Sequence, residues 1–297
     1  MAYLFLSLAL TAGIVKGYCG KKTSTHLCGA SDAMRATALR MLLCIAVGIV
    51  TVAADRSFLY LVPSLKTLLI YAVSGVSTAV FVVSWLITVQ KSAYMMLDVA
   101  LMLGVSVPII LGRVFYGEAV SPVQWLGLLI LVGATVLMVS YSNSIKTKLN
   151  AQSLALLALC GFSSGIADFS QKWFVKAASD VPVSVFNLYT YVFCALTVLL
   201  VLLFLRGKEK SESPFPFKRV FPFILIMAIC LFANSYFKTL AAKTLDAAIL
   251  YPLNQGASLI LASLMSVFFF KEKLTWKGAL GILLSFVGLI VINVLGK

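Results

Sequence analysis

Charge is what this sequence is short of. Asp, Glu, Lys and Arg make up 11% of its 297 residues, where a soluble domain carries about a quarter. So few charges cannot clothe one or two water-soluble domains, so lipid must solvate most of the exterior. Histidine occurs once, and there is no GxSxG, P-loop or HExxH stretch. Nothing therefore points to catalysis, to a cofactor or to a built-in nucleotide engine, and the chain is read as a non-enzyme. Cysteine is too sparse and too scattered for a disulfide scaffold. Cys44, Cys160, Cys194 and Cys230 fall inside apolar runs, where a thiol is a small hydrophobe. Cys19 and Cys28 flank the first loop and would pair only in an oxidising compartment, and with His26 they supply too few ligands for a convincing metal site.

What is present is apolar: 61% hydrophobic residues and a mean hydropathy of +1.03. Apolar runs of about 20 residues, the length that crosses a bilayer as a helix, repeat along the chain. They predict spans near 2–19, 33–54, 65–89, 93–115, 122–142, 151–176, 182–206, 218–241, 245–270 and 275–295. The runs are continuous and do not alternate with period two, which excludes a β-barrel. The expected fold is thus an all-α integral membrane protein of ten transmembrane helices. The first run, MAYLFLSLALTAGIV, has neither a basic start nor a small-residue cleavage site and reads as a retained span. The formal net charge of +14 comes from basic residues set singly or in small groups between apolar runs, where they meet lipid headgroups. The expected partners are therefore the bilayer and a small-molecule substrate, not nucleic acid; a homodimer stays open. The expected location is the cell membrane, as a multi-pass protein.

The two halves resemble each other. Placing Glu118 over Glu272 brings FYGEAVSPVQWLGLL onto FFKEKLTWKGALGIL, with Phe115/Phe269, Leu126/Leu280, Gly127/Gly281 and Leu129/Leu283 coinciding. Gly13-Ile14 overlays Gly165-Ile166 in the same way. Ser121-Pro122 reads as an N-cap followed by proline at the first helical position, with Gln124 completing a capping box. The chain then divides into 1–149 and 150–297, five spans each. An odd number of spans per half makes the halves face opposite ways, the inverted-repeat plan of secondary transporters.

The hairpin of an apolar run, a Glu, a short Ser/Thr-capped loop and a glycine-bearing last helix resembles the ten-span EamA-like members of the drug/metabolite transporter superfamily. The last stretch, FFFKEKLTWKGALGILLSFVGLIVINVLGK, also looks like the final helices of the small multidrug resistance proteins. The resemblance implies a central cavity lined by spans one to four and six to nine, with spans five and ten peripheral. It also marks a departure: the first span lacks the mid-helix Glu of the small multidrug proteins and has only Lys16 near its end. The family usually keeps both termini in the cytoplasm, whereas 14 basic residues on the odd-numbered loops against eight on the other side place the termini outside.

Polar groups at lipid depth are costly and should face the bundle interior. Span nine carries Tyr251, Asn254, Gln255 and Ser258 at i, i+3, i+4 and i+7, one helical face, next to Pro252 and Gly256. Such a face lines a cavity or glues helices together. Span six repeats it with Ser164, Asp168, Gln171 and Lys172. Asp168 either titrates, binds an ammonium group, or pairs structurally with Lys172. Asp98 in span four lies one turn from Tyr94, with Lys16, Lys91 and Arg113 as candidate partners. Asn187 and Tyr191 in span seven, Asn234 in span eight, and Ser74, Ser77 and Thr78 in span three complete the polar set. Lys16 and Lys238, each about a turn from a helix end, read as snorkelling lysines. Trp85, Trp125, Trp173 and Trp276 fit the aromatic belt, and Glu118 and Glu272 read as turn-setting residues at hairpin tips. The leading expectation is a secondary transporter or facilitator for a small metabolite or drug-like solute, working by alternating access with proton coupling open. A flippase for a lipid-linked headgroup and a non-transporting scaffold are the rivals.

Overall fold

The computed structural model describes residues 1–27, 29–90, 100–139, 151–205, 215–270 and 276–295. Among these residues there is no strand; residues 100–104 are helical, and ten further α-helices have both ends described. They are α1 (Ala2–Ser24), α2 (Gly29–Ala54), α3 (Leu65–Gln90), α4 (Ser106–Tyr116), α5 (Pro122–Val139), α6 (Ala151–Ala177), α7 (Val183–Leu205), α8 (Phe217–Ala242), α9 (Ala247–Phe270) and α10 (Trp276–Ile290). Five of them, α1, α2, α3, α7 and α8, contain a stretch long and apolar enough to cross a membrane. Four shorter apolar helical stretches are Ala100–Tyr116, Pro122–Ala134, Ala247–Leu261 and Ala279–Ile290. Helix α6 has 27 residues, about 40 Å at 1.5 Å rise. The outer faces carry large exposed apolar side chains, among them Leu42, Ile49, Leu129, Leu200, Leu203 and Phe204, as a lipid-solvated surface requires. The protein is an all-helical, multi-pass membrane protein.

Hydroxyl side chains inside these helices do not need water. Ser77, Ser84, Thr88, Ser163, Thr239 and Ser285 each donate to the carbonyl four residues earlier, which satisfies them within their own helix. The expected capping box is present at the start of α5: Gln124 N–H donates to Ser121 Oγ at 3.2 Å, and Ser121 N–H to Gln124 Oε1 at 3.0 Å. Gly117 ends α4 in the left-handed region, φ 64°, and Glu118 follows it. Where the helical residues 100–104 just before α4 approach α6, Gly161 sits against the carbonyl of Ala100, leaving no room for a side chain.

The helix packing has an internal symmetry. The most extensive interfaces join α1 to α8 and α3 to α6. Advancing each helix by five places turns one of these pairs into the other. The same operation exchanges α2·α8 with α3·α7, and α4·α6 with α1·α9, while α2·α7 and α5·α10 map onto themselves. The α2–α3, α4–α5 and α8–α9 connections share one end of the bundle with the start of α7. Tyr189 donates to the carbonyl of Leu61 at 2.6 Å there, and Glu118 Oε2 accepts from Ala247 N–H at 2.8 Å. Aromatic side chains seal that end: Tyr71 stacks on Tyr189 at 5.0 Å and Phe174 on Phe186 at 4.3 Å.

Candidate functional site

A polar cavity of about 160 Å³ lies at mid-depth among α1, α3, α6, α7, α8 and α9. It is large enough for several water molecules and flanked by groups able to hold them. Helix α6 contributes Ser164, Asp168 and Gln171, and α9 contributes Asn254, Gln255 and Ser258. Helix α8 adds Asn234, Ser235 and Lys238, and α7 adds Tyr191. The opposite wall is Gly13, Lys16 and Gly17 of α1 with Thr78, Phe81 and Trp85 of α3. The small residues of α1 let the cavity reach that helix backbone.

At its centre Asp168 Oδ1 accepts from Lys238 Nζ at 2.5 Å, joining α6 to α8. The Asp168 side chain is 15% exposed and that of Lys238 11%, so both are partly wetted by the cavity. Around this pair the polar side chains hold one another. Asn234 donates to the carbonyl of Ala9 at 2.7 Å. Ser235 donates to Asn187 Oδ1 at 2.7 Å and receives Gln171 Nε2 at 3.4 Å. Tyr191 donates to the carbonyl of Leu231 at 3.1 Å. Asn254 keeps a buried Oδ1 without a hydrogen-bond partner in the structure, an acceptor left for water or a solute. Pro252 has no N–H to give the carbonyl of Ala248, so the backbone is loosened one turn before Asn254.

Of the predicted site residues, Ser164, Asp168, Gln171, Tyr191, Asn234, Asn254, Gln255 and Ser258 come together on this cavity. Two do not reach it. Tyr251 is fully buried and donates to the main-chain oxygen of Asp168 at 2.5 Å, bracing α6 from behind. Asn187 is fully buried behind Ser235. Tyr94 and Asp98 lie outside the described residues, as do Glu272, Lys91 and Cys28. Cys19 carries a free, buried thiol.

The structure corrects three other expectations. Asp168 does not pair with Lys172 along α6. Lys172 Nζ stands 2.9 Å from Glu118 Oε1, 3.9 Å from Asp246 Oδ1 and 2.7 Å from the Leu245 carbonyl. The i, i+4 rule places two side chains on one face, but here each finds a stronger partner on a neighbouring helix or loop. Lys16 and Lys238 do not snorkel; both line the cavity, because their helices run past it rather than ending at the lipid surface. Trp85 does not join an aromatic belt. It is 9% exposed and packed against Gly20, with its ring on the cavity wall. Sequence reasoning also missed Arg40 as part of this region; the only signal was a lone arginine in the middle of an apolar run.

A bundle of apolar helices around an interior polar cavity leaves room for a small solute inside a membrane protein. Residues 152–294 match the EamA-like transporter family, which lies within the drug/metabolite transporter superfamily. A solved crystal structure superposes on the whole fold with a TM-score of 0.77 at 18% identity, covering 99% of this chain and 97% of its own. That likeness is one of fold. No curated protein matches the chain.

Proposed function

We propose that the protein is a secondary transporter or facilitator that moves a small metabolite or drug-like solute across the cell membrane by alternating access. The observation that carries this reading is the polar cavity inside the bundle, crossed by an ion pair whose two members belong to different helices. A pair such as Asp168–Lys238 has two natural arrangements, closed on itself or opened by a competing ligand or proton, and so can couple binding to helix movement. The fivefold shift in the packing supports a division into 1–149 and 150–297 as inverted repeats, with the cavity on the pseudo-twofold axis. The predicted site residues on the cavity form the solute-binding set, with Tyr94 and Asp98 as further members.

A flippase would need its polar site to run into an apolar groove for the acyl chains. An apolar cavity of about 190 Å³ does exist, lined by Ala79, Val83, Leu159 and Val198 among others. It lies on the other face of α3 from Thr78, Phe81 and Trp85, so α3 stands between groove and polar cavity. The separation favours a small, wholly enclosed solute. A scaffold would close its polar faces on one another, and the cavity between them favours the transport reading instead.

The purified chain in proteoliposomes, screened against pools of labelled metabolites, is expected to accumulate at least one of them above empty vesicles. Asp168→Asn should lower that uptake at least tenfold or remove its pH dependence. Should Asp98→Asn and Asp168→Asn both leave rate and pH profile intact, neither carboxylate couples transport to protons. Absence of any uptake, with a cysteine at Ser258 unreactive to small maleimides from both sides, would return the protein to the scaffold class.

A further inference from the structure

The outer face of α3 borders the apolar cleft. Gly75 lets α3 lie directly against α7, where a side chain would run into Phe193 and the carbonyl of Thr190. Thr190 donates to Ser74 Oγ at 3.0 Å at the same level. Past that contact the space over α3 between α6 and α7 is not filled. It is a cleft of about 190 Å³ with Ala79, Val83 and Ile87 on its floor and Leu159 and Val201 at its lips. The lips are 48% and 41% exposed, beside Leu200 on the lipid-facing surface. The two hydroxyls in the described lining are already used. Ser84 donates to the carbonyl of Val80 at 2.6 Å and Thr197 to that of Phe193 at 2.8 Å, each within its own helix.

Water finds nothing to bond to in such a space. An apolar cavity of about 150 Å³ stays dry and takes up an apolar guest, and this one is larger. In a multi-pass membrane protein the guest at hand is lipid. Depth narrows the choice further. From Ala79, near the middle of α3, to Ile87, close to its end, the floor runs about 12 Å. That lies within one leaflet, whose hydrocarbon is roughly 15 Å thick, and its length is that of a single chain lying along the helices. We propose that the cleft is a binding site for one phospholipid acyl chain, drawn from the leaflet in which α3 ends and α6 begins. The inference stands apart from the transport reading, because Thr78, Phe81 and Trp85 put the polar cavity on the opposite face of α3. The seated chain braces that helix from outside.

The full chain in phosphatidylcholine nanodiscs, doped with phosphatidylcholine carrying a diazirine midway along one acyl chain, is irradiated, and the adducts are mapped by peptide mass spectrometry. Leu200 and Leu203, on the open surface, should be labelled as lipid-facing residues are. Ser84 is 3% exposed and is reached only by a chain lying inside the cleft; it should be labelled as well. Val83→Phe fills the floor, and Thr197→Leu narrows the cleft from the α7 side. Each should cut the Ser84 adduct at least about fivefold, since room for a guest is gone, and leave Leu200 and Leu203 unchanged. Two variants on different helices guard against one that does not fold, which its size-exclusion profile identifies. Adducts confined to Leu200, Leu203 and their exposed neighbours would overturn the inference. So would a Ser84 adduct that both folded variants leave intact. If Ser84 stays bare while Leu159→Cys gives a disulfide-linked dimer in the same discs, a second copy occupies the cleft and lipid does not.

Discussion

Lys172 and Glu118 show how much one residue pair decides in a low-dielectric interior. The Lys172 side chain is 3% exposed and that of Glu118 6%, at 2.9 Å from each other, with the carbonyl of Leu245 and the N–H of Ala247 completing their shells. Removing one partner strands the other's charge in the bundle. Lys172→Met is therefore expected to destabilise the protein by on the order of 3 kcal/mol. The double variant Glu118→Gln/Lys172→Met should recover much of that loss, which thermal unfolding of all three variants in one detergent would measure. Little of this pairing could be read along the chain. Local spacing brings Lys172 close to Asp168, and nothing local says that α8 offers Lys238 to the acid while the α4–α5 hairpin offers Glu118 to the lysine. The polar faces of α6 and α9 were legible because a helix writes its face at i, i+3 and i+4. Arg40, Lys16 and Lys238 were not, since a lone cation in an apolar run looks the same whether it reaches for headgroups or for a cavity.

Single helices were the most legible level. The apolar run at 182–206 becomes Val183–Leu205, and that at 122–142 starts at Pro122 with its capping box formed. At α1 the helix expected to stop near residue 19 continues to Ser24. Lys21 and Lys22 are good helix formers, and a basic last turn complements the helix dipole, so loss of hydrophobicity there does not end the helix. How closely two helices approach is set by their smallest residues. Gly161 meets the backbone of Ala100 directly, so Gly161→Leu should push residues 100–104 off α6, costing about 1–3 kcal/mol and lowering the yield of folded protein. A fluorescence-detected size-exclusion profile with a melting series would record it; an unchanged melting midpoint would mean that the close approach at Gly161 contributes no stability.

For the molecule as a whole, the packing symmetry fixes an expectation about sidedness. If α(n) and α(n+5) are inverted images, the connections after even-numbered helices lie on one face of the membrane and those after odd-numbered helices on the other. Cysteines introduced singly at Leu59, Asp180 and Lys243, in a background lacking the native ones, should react with an impermeant maleimide from one side. A cysteine at Thr25 should react only from the opposite side. Labelling of Asp180→Cys from the Thr25 side would break the alternation, and with it the inverted arrangement. The same experiment decides between the basic-residue count and the family habit for the termini. The fold class was readable from composition and run length, while the image relation between interfaces was not, because it exists only between helices far apart in the chain. One feature of that assembly binds distant stretches of chain into a single junction. Glu118, between α4 and α5, supplies both the counter-charge of Lys172 in α6 and the cap of α9. Losing that one carboxylate would therefore loosen three helices at once, although it belongs to none of them.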